Sequence, residues 1–335
     1  MKKLENIKVG IFGDGAWATN LVHSLNKHPN YQTCFIVKRY KTGNERLELC
    51  AKKFEIPFFE FKNVNSKTVI NLLSAFEADI FLSMSFDQII KKELLQTPNL
   101  GFLNCHAGRL PFYRGRNALN WAIINGENEF GITVHLVDEG IDTGPIVLQR
   151  AEKINPDDDY ATLLGKAHTR CPLVMIEAID KFIENPSDCV NQHELFNAQS
   201  YFSKRTIGDE WIDWSNGSQQ IHNLVRGISF PGPCARTILD GRTIAILKTK
   251  LASGFIDYLG TCGQVIGRNQ DGVLVKTGDN VLFIEEYCQV SATGKLDPAR
   301  RADIAVGTVL GYRINHEIYE INKKIEELHR LIREQ

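Results

Sequence analysis

Three polar residues stand where apolar strand patterns break off. Asn104 and His106 lie two apart in Asn104-Cys-His106, and Asp142 sits in the turn-rich run Val137-Asp-Glu-Gly-Ile-Asp142-Thr-Gly144-Pro145. Alternate residues of a strand share a face, so Asn104 and His106 project together. An amide donor beside an imidazole at a strand's carboxyl end is equipment for acyl transfer. The amide would stabilise a developing oxyanion while the imidazole moves protons. A carboxylate on a rigid turn, within reach of His106, would orient the ring and balance its charge. Pro111 and Gly115 fix a loop able to cover such a site. Taken singly, each residue has a structural reading: a core histidine, a turn aspartate, a capping asparagine.

A second candidate is Gly13-Asp14-Gly15-Ala-Trp17-Ala18, after an apolar strand. It meets the loose form of the dinucleotide fingerprint, whose glycines bring a helix N-terminus to phosphate. No acidic residue stands about 20 positions on, where a ribose hydroxyl would be held; Lys38-Arg39 lie near there instead. A basic pair suits a 2′-phosphate, so an NADP-dependent oxidoreductase is a rival reading. A tight turn without ligand explains the glycines equally well.

The elements that must position these groups alternate along the first two hundred residues. Apolar runs at 7–13, 34–37, 57–61, 79–84, 101–105, 132–137 and 146–148 are separated by helical stretches, including a long amphipathic one at 160–182. That alternation predicts an α/β fold with a doubly wound, mainly parallel sheet, whose ligand crevice lies at the strands' carboxyl ends. After Trp214 and a helix at 219–227 come hairpin signals at Asp240-Gly241, Asp271-Gly272 and Gly278-Asp-Asn280. They predict a small antiparallel β-barrel over 230–312. Apolar residues at 314, 318, 321, 325, 328 and 332 form a heptad seam in the tail. It would pair two chains into a homodimer or lie on its own barrel. The resulting division is 1–200, 201–313 and 314–335.

Composition narrows the class. The 335 residues are 43% apolar and 24% charged with a net charge of −1, an ordinary globular balance that draws the chain to neither nucleic acid nor anionic membrane. No stretch approaches the roughly 20 apolar residues of a membrane span, and residues 1–8 carry no apolar signal region. Eight scattered cysteines, with no Cys-x-x-Cys pair and no metal-ligand spacing, predict reduced thiols in the cytoplasm and no metal site.

Together the motifs resemble the folate-dependent formyltransferases. Asn104-x-His106, Leu110-Pro-Phe-Tyr-Arg114-Gly115 and Gly140-Ile141-Asp142-Thr-Gly144 match that family's pattern, and Tyr201-Phe-x-Lys204-Arg-Thr206, Ile212-Asp-Trp214 and Phe230-Pro-Gly-Pro233 resemble its linker into a C-terminal domain. The family's usual serine two residues after the histidine is Gly108 here. The resemblance implies a formyltransferase-type catalytic domain with an OB-like barrel behind it. It implies 10-formyltetrahydrofolate as donor, held by Ser85, Gln88, Ile89, Ile90, Arg116, Asp138, Gly140 and Ile141. It makes Asn104 the oxyanion donor, His106 the acid and base, and Asp142 its orienting carboxylate. Arg116-Asn-Ala-Leu-Asn-Trp121 resembles the sugar N-formyltransferases, and the neutral charge points the same way. The expected acceptor is therefore a nucleotide-linked amino sugar, with no nucleic-acid partner. Gly13, Asp14, Gly15 and Trp17 are candidates for its diphosphate or sugar, and Arg114, Arg116 and Lys204 are further candidates. Methionyl-tRNA formyltransferases are the alternative within the family.

Overall fold

The strand β1 (Ile7–Gly13) is buried along nearly its whole length, as a strand covered by helices on both faces must be. The computed structural model describes residues 6–43, 45–196, 198–254, 257–312 and 314–333. The reading of residues 1–5, the last two residues of the tail and the side chains of 314–316 fall outside that description. The chain divides into two units, residues 1–123 with 127–205, and residues 124–126 with 206–335.

In the first unit β1 is followed by α1 (Gly15–Leu25), β2 (Tyr31–Lys38), α2 (Glu45–Lys53), β3 (Phe58–Glu60), α3 (Lys67–Ser74), β4 (Ile80–Met84), α4 (Lys92–Leu95) and β5 (Phe102–His106). Then come β6 (Arg114–Gly115), α5 (Ala118–Ile124), β7 (Glu129–Leu136), β8 (Ile146–Lys153), α6 (Tyr160–Glu184), α7 (Gln192–Leu195) and β9 (Tyr201–Phe202). Seven strands make one sheet in the order β3-β2-β1-β4-β5-β7-β8. The first five are parallel, whereas β7 runs antiparallel to β5 and β8 antiparallel to β7. The mainly parallel α/β reading holds, with two antiparallel strands completing one edge.

One face of the sheet packs on α1, α2 and α6 through Ile11, Leu82, Leu103, Leu21 and Met175. The other is an aromatic layer, with Phe12 against Phe35, Phe81 and Phe102 at ring separations of 5.0 to 5.9 Å. Such pairs add about 1 kcal/mol each beyond their area burial. The helix α6 starts on a capping box, in which Asp159 accepts from the Thr162 amide while the Thr162 hydroxyl accepts from the Asp159 amide.

In the second unit α8 (Ser218–Gly227) precedes β10 (Ala235–Leu239), β11 (Arg242–Leu251), β12 (Val265–Asn269), β13 (Gly272–Lys276), β14 (Val281–Gln289) and β15 (Arg300–Arg301). The six strands form an antiparallel sheet of order β10-β11-β14-β13-β12, with β15 on β14. All three expected turns join consecutive strands of this sheet. The tail forms α9 (Ile314–Arg333), and its seam residues Ile318, Ile321, Ile325, Leu328 and Ile332 are exposed. Among the described residues no helix is long and apolar enough to cross a membrane.

Candidate active site

The register of β4, β5 and β7 assembles the site. Ser83 pairs with Asn104, Asn104 with His135, and His106 with Thr133. Residues directly opposite on antiparallel strands share a face, so His135 is the cross-strand neighbour of Asn104. The Asn104 Nδ2 atom lies 3.1 Å from His135 Nε2 and 3.4 Å from Asp142 Oδ1. Asp142 Oδ2 accepts from the Gly115 amide at 2.8 Å and faces His106 Nδ1 at 3.6 Å. The other ring nitrogen of His106, Nε2, points at the Tyr113 carbonyl at 2.6 Å. Both ring nitrogens of His106 therefore face acceptors, and the ring donates to both only when it carries two protons.

His135 was not singled out from the sequence. Its Nδ1 meets the Leu136 carbonyl at 2.7 Å and donates to it. That leaves Nε2 as an acceptor for Asn104 in the neutral ring, and as a donor to Asp142 Oδ1, 3.4 Å away, in the charged one. The available signal was Thr133-Val-His135 alternating on a strand beside Asn104-Cys-His106.

Burial alone would push the Asp142 carboxyl up. The charge of His106, the hydrogen bond and charge of His135, and the Gly115 amide outweigh that and hold it well below the usual carboxylate range. The Asp142 backbone is left-handed at φ 54°, as are Ser85, Tyr113 and Asn117 beside it at 61°, 57° and 60°. Such conformations cost free energy and persist where the surroundings over-determine them.

A cavity of about 640 Å³ opens over these groups. Of the residues read as donor-binding, Ser85, Gln88, Ile89, Ile90, Arg116, Asp138, Gly140 and Ile141 all line it. Gln88 does so while its amide is engaged elsewhere, donating to the Phe61 carbonyl and accepting from the Val64 amide, each at 3.0 Å. Asp138 accepts from the Gly140 amide and the Thr143 hydroxyl, closing the 138–143 turn. Among the residues read as acceptor-binding, Trp17, Arg116 and Lys204 line the cavity, together with Tyr160, Leu164 and Arg205.

The structure does not bring the others there. Gly13, Asp14 and Gly15 form the turn into α1 and are absent from the lining. A Cβ at Gly13 would press on Ala18 and the Met84 carbonyl, so that glycine serves close strand-to-helix packing. Arg114 is 5% exposed, and its guanidinium is spent on Gln192 and Gln199. Lys38 pairs with Glu60 and the Thr42 carbonyl, and Arg39 with Ser85, so neither basic residue is free for a 2′-phosphate.

Gly108 has a geometric reason. The His106 ring occupies the space above it, and a Cβ there would overlap His106 Nε2 and crowd the Tyr113 carbonyl. No group of three or more His, Cys, Asp or Glu suited to a metal occurs among the described residues.

Comparison with known proteins fixes the family. Residues 5–179 match the family described as formyl transferase, and residues 206–295 match its C-terminal domain. A methionyl-tRNA formyltransferase of Geobacter metallireducens is 34% identical over 242 residues, covering 72% of this chain and 75% of its own. One from Clostridioides difficile is 33% identical over 253 residues, covering 73% and 78%. Among solved structures, a sugar 3-N-formyltransferase with dTDP and 5-N-formyl-THF aligns at a TM-score of 0.62 and 23% identity over 83% of this chain and 97% of its own. An N-formyltransferase from Helicobacter canadensis, with folinic acid and dTDP-3-aminofucose, aligns at 0.63 and 22% over 83% and 99%.

These findings correct two expectations. The nucleotide-linked amino sugar acceptor, and with it the absence of a nucleic-acid partner, gives way, because relatives above 30% identity over most of both chains carry the other name. The sugar enzymes share the fold at lower identity. The physical reasons are visible. A net charge is blind to clustering: Lys248, Lys250, Arg300 and Arg301, distant in sequence, line one cavity of the second unit together with the carboxylates Asp271, Glu285 and Glu286. Of the motif that suggested a sugar, residues 116–120 line the first cavity, whereas Trp121 is stacked on Phe202 and is absent from that lining. The oxidoreductase reading also falls. This chain belongs to the formyl transferase family and is a formyltransferase.

Proposed function

Taking that membership as the premise, we propose that the chain passes a formyl group from 10-formyltetrahydrofolate to the α-amine of a methionyl-tRNA. The observation that carries the acceptor is the length of the match. Similarity to methionyl-tRNA formyltransferases runs for as many as 272 residues at 32% identity, more than the whole first unit. The cavity fits the donor. Phe86, Ile89, Val137 and Ile141 are among its lining residues, and Ile89 and Ile141 are 61% and 44% exposed. That is a slot for a flat bicyclic ring, beside the polar cluster of Asn104, His106 and Asp142.

When bound there, the donor supplies an activated formyl carbon. The chain's residues divide the remaining work. The 3.4 Å contact from Asn104 Nδ2 to Asp142 lies outside good hydrogen-bond range, so that N–H turns readily to an oxyanion developing on the formyl oxygen. His106 moves the proton between the attacking amine and the leaving nitrogen, and Asp142 holds its ring and balances its charge. Lys204 and Arg205 place two cations at the cavity wall, where the acceptor's terminal phosphates would pass. In the second unit Lys248, Lys250, Arg300 and Arg301 offer a surface for more of the tRNA backbone. The eight free cysteines fit a reducing compartment, and the cytoplasm suits both substrates.

The test is a panel of acceptors with 10-formyltetrahydrofolate: methionyl-tRNA, uncharged tRNA, free methionine and nucleotide amino sugars. Formylation of methionyl-tRNA with a rate that falls steeply with salt is the expected result. Transfer to another acceptor, with methionyl-tRNA untouched, would overturn the reading.

A further inference from the structure

The two loops that fix the reacting groups are themselves held by one segment, the stretch from α7 to β9. The Tyr113 carbonyl faces His106, and the Gly115 amide donates to Asp142. Both belong to residues 113–115, and 200–202 hold that stretch in place. The Tyr113 amide donates to the Ser200 hydroxyl at 2.9 Å, the Arg114 amide to the Ser200 carbonyl at 3.1 Å, and the Arg116 amide to the Phe202 carbonyl at 2.9 Å. The Phe202 ring stacks on Tyr113 and on Trp121, at centroid separations of 5.3 and 5.2 Å and plane angles of 16° and 24°. Gly115, at φ 90°, has no room for a Cβ against the Phe202 carbonyl, so the two backbones touch where the bond to Asp142 is made.

The same segment secures the Asp142 loop. Gln192, 1% exposed, donates from Nε2 to the carbonyls of Asp142 and Gly144, each at 2.8 Å. Its Oε1 accepts from Arg114 Nε and Nη2 at 3.0 and 2.6 Å, which joins the two loops through one amide. Every hydrogen-bonding position of the Gln192 side-chain amide is used.

We propose that Phe202 and Gln192 are positioning residues, which set His106 and Asp142 in register through the 113–115 and 142–144 loops without touching substrate. The inference rests on the assignment of His106 and Asp142 to formyl transfer. Displacing catalytic groups by an ångström costs on the order of 100-fold in rate, so loss of the Phe202 ring should act on turnover rather than on binding.

The experiment compares Phe202→Leu and Phe202→Tyr in the full chain. Leucine keeps apolar bulk without a stacking face; tyrosine keeps the stack. The expected result for Phe202→Leu is a kcat lowered on the order of 100-fold with the donor KM within about two-fold, and for Phe202→Tyr near-parental turnover. A second readout is independent of the acceptor: the Gly115 amide proton, bonded to a carboxylate, should resonate downfield and move upfield in Phe202→Leu. A Phe202→Leu protein with parental kcat and an unmoved Gly115 amide would overturn the inference, as would a loss shared equally by kcat and donor KM. Should the parent fail to formylate methionyl-tRNA, the acceptor assignment falls, and the Gly115 amide alone decides the positioning role. Gln192→Leu supplies a second variant, expected to lower kcat with the Phe202 stack intact.

Discussion

Two cavities of similar size, one in each unit, use polar side chains in opposite ways. In the first, His106, His135 and Asp142 are 10%, 3% and 12% exposed, and each meets more than one polar partner. In the second, Lys248 and Lys250 are 58% and 66% exposed, and both pair with Glu285. Burial lowers the local dielectric, so every contact in the first cluster fixes geometry and an unmet one is costly. Exposed lysines hold no fixed geometry, and each ion pair contributes little. With Arg300 and Arg301 they outnumber Asp271, Glu285 and Glu286 in that lining by one charge, and salt screens the resulting field. Charged groups are thus held in fixed, buried contacts in one place and left exposed to solvent in the other.

Breaking the first cluster should cost most. Asn104→Ala or His106→Ala should lower kcat on the order of 100-fold to 1,000-fold while the fold is retained, as circular dichroism and melting would show. Gly108→Ser comes next. Its Cβ cannot coexist with the present His106 ring, so kcat should fall about 10-fold or more, and the His106 ring resonances should move. If Gly108→Ser matches the parent, the ring does not need the position described.

Sharpening the comparison takes the second cavity. Lys248→Ala with Lys250→Ala should raise the KM for tRNA several-fold at low salt. The double variant should also flatten the salt dependence of tRNA binding, by a slope of about one for each phosphate that the lysines no longer neutralise. A change in kcat with no change in salt slope would contradict the division of labour. The smallest effect is one of pH. The Asp142 carboxyl is held low in the fold, so its contribution to stability is complete above its unfolded value of about 4 and is lost as pH falls below that. Melting temperatures of the parent and Asp142→Asn should differ by a constant amount at neutral pH and converge below about pH 4.

Much of this was legible in the sequence because it is written in local pattern. The apolar runs of β1, β4 and β5 and the hairpin turns of the second unit each declare themselves within a few residues. Asn104, His106 and Asp142 were candidates by type and spacing, the family resemblance joined them, and they do lie together. The direction of β7 was not legible, since alternation of side chains is the same in either sense. His135 was missed for that reason: only antiparallel pairing of β7 with β5 sets it opposite Asn104. Arg114 was misplaced because a guanidinium suits a phosphate and a buried glutamine alike, and its partners lie 78 and 85 residues away. The stretch from α7 to β9 carries no periodicity, and its role appears only once the loops it holds are in place.

The most direct measurement is a single-turnover experiment with labelled 10-formyltetrahydrofolate and methionyl-tRNA, run in parallel on the parent chain and on His106→Ala. Rapid appearance of label on the methionyl amine with the parent, and transfer slowed on the order of 100-fold or more in the variant despite unchanged donor binding, is the expected result. Equal rates in the two proteins, or label that never reaches the methionyl amine, would contradict the assignment.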